Sequence, residues 1–410
     1  MKPKQTRVKK TPAQVAEPPS WRSCLPYAFI ATLYLLLALP LRFARGGGPD
    51  WDSFMAATDL ILQGKWLQLY ENHQSFFSFS FPPLPFFLMA PFRFLAQALG
   101  LPPGAGDALT GLPMLAGDFL SAWMLVKLVR RFREVSKGEG LFLFAFYLAA
   151  WIVFFDSAYH SHFDSILLFF LFTAVERLQA GKAAVAGIFL GLALLTKQTA
   201  LMVLIPLAFV LMGKGRKEPG KMLIPAAAIT LVGMAPFLAA DFSQVKSVLL
   251  DAPNQRPIGY QTIWWIFAGN EGAMAWLNGA EPCLNVLILL LVTGYCAFMV
   301  GRRGVGLREP RLLGLCAACA VIMVFLEGWG SLHYFLLPFG FLLAWEAATG
   351  GWPWVSVVFT AVLSDQFILK YSSETHYGFN PWTAWEMILL FTGTLVVLTR
   401  QLNRGRESSL

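Results

Sequence analysis

The feature that most constrains this chain is its succession of apolar runs, which begins at Leu25 and recurs up to the last dozen residues, with only short polar connections between them. A helix rises about 1.5 Å per residue, so about 20 apolar residues cross the hydrocarbon of a bilayer. A soluble domain is about a quarter charged, whereas here Asp, Glu, Lys and Arg make up 14% and the shortfall is spread along the whole chain. One soluble domain with a tail is therefore excluded. The 36 Phe and 14 Trp suit a bilayer, whose interfaces collect aromatic side chains. The net charge of +8 does not point to nucleic acid, because the basic residues sit in short clusters between apolar runs, as in cytoplasmic loops. The expectation is an all-α, polytopic transmembrane helix bundle of about 12 spans, in an integral multi-pass membrane protein.

Orientation follows from where the basic clusters fall. Residues 1–22 carry Lys2, Lys4, Arg7, Lys9, Lys10 and Arg22 beside Pro and Gln, and read as a disordered tail in the cytoplasm. No cleavable signal peptide is expected, so the first apolar run, Leu25–Leu41, is a retained span. The stretch Arg42–Ser80, holding Asp50, Asp52 and Asp59, must then lie outside. Phe81–Leu99 contains Pro82, Pro83, Pro85 and Pro91, which remove backbone donors and kink helices. Taken as a span, it would send the basic run Lys127–Arg133 outside. Taken as a helix in the outer interface, it puts that run inside together with Glu176–Lys182, Lys214–Lys221, Arg302–Arg311 and Arg400–Arg406. The interfacial reading brings every basic loop to one side and is adopted.

The remaining spans are expected at 113–130, 141–157, 163–177, 183–196, 199–213, 222–240, 284–301, 311–327, 332–347, 353–369 and 383–400. Lys197 and Gln198 interrupt the apolar stretch 183–213, which reads as two short helices meeting near the outer face; one long tilted helix is the competing reading. The organisation is thus a tail at 1–22, a membrane domain at 23–400 with outer loops at 42–112 and 241–282, and a cytoplasmic C-terminal tail at 401–410. Of the five Cys, only Cys316 and Cys319 have redox spacing, and inside an apolar helix they read as two buried small residues.

With this topology the unusual polar residues fall on the outer face. Asp50 and Asp52 can bind a divalent cation through oxygen, or one of them can act as a general base on a sugar hydroxyl; the ordinary reading is a solvated acidic loop. His160, His162 and Asp164 can ligate a metal or bind a phosphate if a loop presents both histidines, which a helix cannot do at this spacing; otherwise they are an interfacial loop with Asp164 as a helix cap. Asp118, at the edge of a span, is a functional candidate as an ionisable group near membrane depth. Lys197 is either a point charge for a lipid phosphate or a snorkelling lysine. Arg256 is an anion partner in the long outer loop, ahead of Trp264 and Trp265, which can serve as an interfacial anchor. His333 can hold a phosphate or shuttle a proton, or be a simple interfacial histidine.

The order of these motifs, over about residues 45–340, resembles the GT-C class of integral-membrane glycosyltransferases. Asp50 to Gly64, then Tyr70, then Phe81-Pro82-Pro83-Leu84 looks like the first outer loop of the bacterial mannosyltransferase-like members and of the GPI α-1,4-mannosyltransferase, with Phe81 where those have Tyr. His160-Ser161-His162-Phe163-Asp164 is similar to the His-Gly-His-Phe-Gln motif of the dolichyl-phosphate-glucose α-glucosyltransferases, and Thr196-Lys197-Gln198 with Pro206 to their Tyr-Lys-Gln segment. Arg256 to Trp265 resembles their Arg-containing loop, with Ile263 in place of Asn. His333 falls where their His-Glu-Lys motif sits, without its Glu and Lys.

The resemblance implies a GT-C fold in a bacterial cytoplasmic membrane. It also implies transfer of a hexose, mannose or glucose, from a polyprenyl-phosphate donor to a lipid- or glycan-linked acceptor by inverting single displacement. Asp50 would be the base and Lys197, Arg256 and His333 would hold the donor phosphate. Asp52, His160, His162 and Asp164 are optional ligands for the acceptor or for a divalent cation, Mg or Mn. The rival function is a secondary transporter or lipid flippase. Transporters place ionisable groups near the midplane and often repeat their halves; here no repeat is visible and the charges gather at one face.

Overall fold

In the computed structural model, residues 21–45, 49–71, 81–251, 262–328, 331–372 and 381–404 are described. They are helical throughout, with no strand among the described residues. Five helices are long and apolar enough to cross a membrane: Cys24–Ala44, Pro103–Val129, Gly220–Leu249, Glu271–Gly301 and Trp382–Asn403. A sixth forms if Lys137–Ala149 and Trp151–Tyr159, bent by 53°, count together. The other apolar helices are shorter, among them Leu84–Ala98, Ala183–Leu194, Gln198–Met212 and Arg311–Leu326. The all-α bundle is as expected; length and composition support fewer full spans than the 12 anticipated.

Burial separates the helices into two kinds. The centre holds α13 (Arg311–Leu326), buried at every position from Leu312 to Phe325, and α14 (Leu336–Thr349), buried from Leu336 to Ala348. A helix that is apolar all round belongs in the interior of a large bundle. Around it stand α1 (Trp21–Arg45), α11 (Gly220–Lys246), α12 (Glu271–Gly301) and α16 (Pro381–Arg404), which expose Leu36, Leu37, Ile224, Val232, Leu290 and Leu389. Such apolar surfaces are what hydrocarbon solvates. Trp276, Trp352, Trp354, Trp382 and Trp385 are also exposed, as interfacial anchors are.

Small residues let backbones touch. A Cβ at Gly187 of α9 (Ala183–Leu194) would lie 2.2 Å from the Met222 carbonyl oxygen of α11, and one at Gly191 2.7 Å from Ile229 Cβ. This is the small-xxx-small packing of membrane helices, where dispersion rather than water drives association. A Cβ at Gly117 of α5 (Leu112–Val129) would likewise meet the backbone of Ile166 at 2.9 Å, which locks α5 onto α8 (Asp164–Gln179).

The apolar stretch 183–213 is two helices. α9 stops at Leu194, Lys197 is extended (φ −160°, ψ 139°), and α10 (Leu201–Met212) follows a short turn. The break is tied to the start of α3 (Leu84–Ala98), whose Leu84 amide donates to the Leu195 carbonyl at 3.1 Å. Two boundaries differ from expectation. α12 begins at Glu271 rather than 284, because the Asn270 side chain caps its first turn, accepting from the Ala273 amide at 3.0 Å, and Pro282 is carried inside it. α11 continues past a kink at Asp241. The outer segment 241–282 is therefore helical over much of its length.

Candidate active site

The site is assembled where α2 (Pro49–Leu62), the turn before α8, the α9–α10 break and the turn before α14 meet. α2 opens with Pro49, Asp50 and Asp52, the proline-then-acid start that a helix N-terminus favours. Trp51 and Phe54 are buried, while Asp52 is exposed. That corrects the reading of Asp50 and Asp52 as a cation-binding pair: the segment is helix, and residues two apart on a helix point away from each other. Asp50 faces inward, and its Oδ2 lies 3.0 Å from His162 Nε2.

The two histidines are presented by an irregular turn. The wide helical turn Phe155–Tyr159 ends the bent pair, and Ser161 adopts φ 63° before α8 starts. A non-glycine residue in this left-handed region is uncommon and costs about 1–2 kcal/mol. The reversal puts His160 and His162 on the same side, their rings stacked at 4.7 Å. His333, in the short turn Leu332–Phe335, completes the pile at 3.7 Å from His162 and 5.3 Å from His160. Its Nδ1 lies 2.8 Å from Ser331 Oγ. Phe54 and Phe81 meet the His162 ring edge to face at 5.4 and 6.1 Å.

Asp164 does not cap α8. Its two oxygens lie 2.7 and 3.0 Å from Lys197 Nζ, with both side chains nearly fully buried. The cap is supplied by Asp156, whose Oδ2 accepts from the Ser165 amide at 3.3 Å. Lys197 Nζ also sits 4.1 Å above the Tyr334 ring, a cation–π contact, and 5.7 Å from the Phe81 ring.

Beneath the histidine turn, Asp118 pins both of its ends. It accepts from Tyr34 Oη at 2.6 Å, from Ser157 Oγ at 2.8 Å and from Ser165 Oγ. Ser121 Oγ adds a bond to the Ser165 carbonyl at 2.8 Å. Arg42, fully buried at the end of α1, donates to the Ser157 carbonyl at 2.6 Å and lies over Trp51 at 4.6 Å. Its guanidinium fills the space left at Gly111, where a Cβ would lie 1.8 Å from Arg42 Cζ.

The structure thus brings together Asp50, His160, His162, Asp164, Lys197 and His333, leaves Asp52 on the surface, and places Asp118 below as support. Arg256 lies outside the described residues. Trp264 is half-buried and donates to the Leu326 carbonyl at 2.8 Å, so it ties its turn to α13. Sequence reasoning missed Tyr334, Asp156 and Arg42. A carboxylate inside an apolar run was a usable signal for Asp156; nothing local marks Arg42, whose partners lie far along the chain.

The potential ligand atoms of His160, His162 and His333 lie within 4.8 Å of one another. Three nitrogens that hold one tetrahedral zinc converge on it at about 2.0–2.1 Å. Here the ring planes lie within 19–23° of one another, so the lone pairs run side by side, and His162 Nε2 is already bonded to Asp50. Ring rotation would have to precede binding of a single ion. The arrangement suits a carboxylate base in a cluster of cationic and hydrogen-bonding groups.

Comparison with known proteins agrees with that chemistry. The family described as Glycosyltransferase family 87 matches residues 79–327, more than half of the chain. No curated protein matches. Among solved structures, ArnT from Cupriavidus metallidurans bound to undecaprenyl phosphate superimposes with a TM-score of 0.54 at 13% identity, covering 94% of this chain and 79% of that one. The same protein in its apo state gives 0.51 at 15% identity, covering 93% and 78%. At such identities the likeness concerns the fold, which is of the GT-C kind.

Proposed function

The chain belongs to glycosyltransferase family 87, and from that premise we propose that it transfers a hexose, mannose or glucose, from a polyprenyl-phosphate donor to a lipid- or glycan-linked acceptor at the non-cytoplasmic face of the membrane. The observation that carries the reading is the meeting of Asp50 with His162, His333 and the Asp164–Lys197 pair, all from separate parts of the chain. The polyprenyl phosphate bound to the ArnT structure supports the donor class. Family membership favours an enzyme over a transporter.

The proposed step is a single displacement with inversion. Asp50 takes the proton of the acceptor hydroxyl, whose oxygen attacks the anomeric carbon while the bond to the phosphate oxygen breaks. The polyprenyl phosphate departs with the bonding pair and gains negative charge, which positioned donors stabilise in a water-poor site. Two of the three Lys197 N–H bonds are accounted for by Asp164, and the third serves the phosphate, with His333 beside it. Arg256, on the outer loop, is a third candidate for that charge. Incubating the purified protein with polyprenyl-phosphate mannose or glucose and a membrane lipid extract tests the reading. Transfer by the wild type that is lost in Asp50→Asn supports it. An Asp50→Asn variant as active as the wild type overturns the base assignment.

A further inference from the structure

We propose that His162 is the positioning residue of the base: it fixes one oxygen of Asp50 so that the other is held toward the acceptor hydroxyl. The inference rests on the reading of Asp50 as base and goes beyond it by saying how that carboxylate is aimed.

An ionised carboxylate only accepts hydrogen bonds, so the proton in the 3.0 Å contact lies on His162 Nε2, which donates to Asp50 Oδ2. The two partners differ in exposure: the His162 side chain is 1% exposed and that of Asp50 22%. One partner is therefore locked in protein, and the other keeps a face open for a substrate. His162 itself is held on every side. His160 and His333 stack on its ring, Phe54 and Phe81 meet it edge to face, and its backbone follows the left-handed turn at Ser161. Its Nδ1 faces Asp164 Oδ2 at 4.0 Å, and that carboxylate is in turn fixed by Lys197. The series Asp50, His162, Asp164, Lys197 thus runs from the open cleft into the packed bundle, which is how a catalytic carboxylate on the first turn of α2 is tied to rigid helices. No proton leaves His162 in this scheme: the acceptor proton goes to the free oxygen of Asp50, and Nε2–H stays in place.

A base out of place by about 1 Å costs about 100-fold in rate, and substrate binding need not change. The test compares His162→Gln, whose amide nitrogen stands near the Nε2 position, with His162→Asn, whose amide stands near Nδ1 and falls short of Asp50. His162→Phe keeps the stacking and donates nothing. All are assayed on the full chain in detergent with the polyprenyl-phosphate sugar that the wild type turns over, alone and combined with Asp50→Asn. Expected are a kcat about 100-fold lower for Asn and Phe at near-constant KM, recovery to within about 10-fold of wild type for Gln, and no added loss when either is combined with Asp50→Asn. A Phe or Asn variant with wild-type kcat overturns the inference. So does a further multiplicative loss in the double variant, which marks a role independent of Asp50. An active Asp50→Asn single variant fails the base reading, whereas an inactive one beside an active His162→Phe fails this inference alone.

Discussion

Replacing Lys197 by Met tests whether the Asp164–Lys197 pair holds the site together. Nζ lies 2.7 and 3.0 Å from the carboxylate oxygens, and the two side chains are 3% and 2% exposed. At an effective dielectric of about 20, charges at this separation attract by about 6 kcal/mol. Desolvation of both ions offsets much of that, but removal of one partner leaves the other charge buried alone and costs about 3–5 kcal/mol. Met keeps the stem that packs beside Phe81 and Tyr334 while removing the ammonium. Lys197→Met is expected to lose about 3–5 kcal/mol, and the double variant Asp164→Leu/Lys197→Met to lose clearly less, because no buried charge remains. Unfolding by SDS titration of the purified variants, all in one detergent, measures both numbers. A Lys197→Met protein as stable as the wild type, or a double variant whose loss equals the sum of the singles, refutes the reasoning.

The close backbones of α9 and α11 predict that Gly187→Val destabilises by about 1–3 kcal/mol through overpacking, since its Cβ would meet the Met222 carbonyl. Gly279→Ala, with nothing within 4 Å, is the control and should be neutral or stabilising in the same titration. Ser161→Gly relieves a left-handed residue and should leave stability unchanged or up to about 1 kcal/mol higher, whereas Ser161→Val should lower both stability and sugar transfer. Sidedness is checked with single cysteines in a background where the exposed Cys24 and Cys283 are replaced by Ser. Lys65→Cys should react with an impermeant maleimide from the outer side and Lys214→Cys only after permeabilisation; the reverse pattern would invert the topology.

What was legible in the sequence is what depends on local pattern. Apolar runs gave the helices, most with ends within a few residues, because hydrophobic length and breakers such as Thr196-Lys197-Gln198 act locally. The group Asp50, His160, His162, Lys197 and His333 was legible as motifs at one face, because polar groups beside apolar spans have few places to go. The pairings were not legible. Asp164 reads as a cap but meets Lys197, and Asp156 does the capping, because which carboxylate turns to which partner is decided by the left-handed turn at Ser161. Asp52 was misjudged because the segment after the first span is helical from Pro49, and a helix separates neighbours that a loop would gather. The Cys316–Cys319 spacing misled in another way: both are buried, and Cys319 Sγ lies 3.4 Å from Cys296 of α12.

Single-turnover glycosyl transfer by purified wild-type and Asp50→Asn proteins of equal thermal stability bears most directly on the claim that Asp50 is the base at an outer-face cluster. The wild type should convert a polyprenyl-phosphate hexose to a glycosylated product and the variant should give none above background. Comparable product from both proteins would contradict the account.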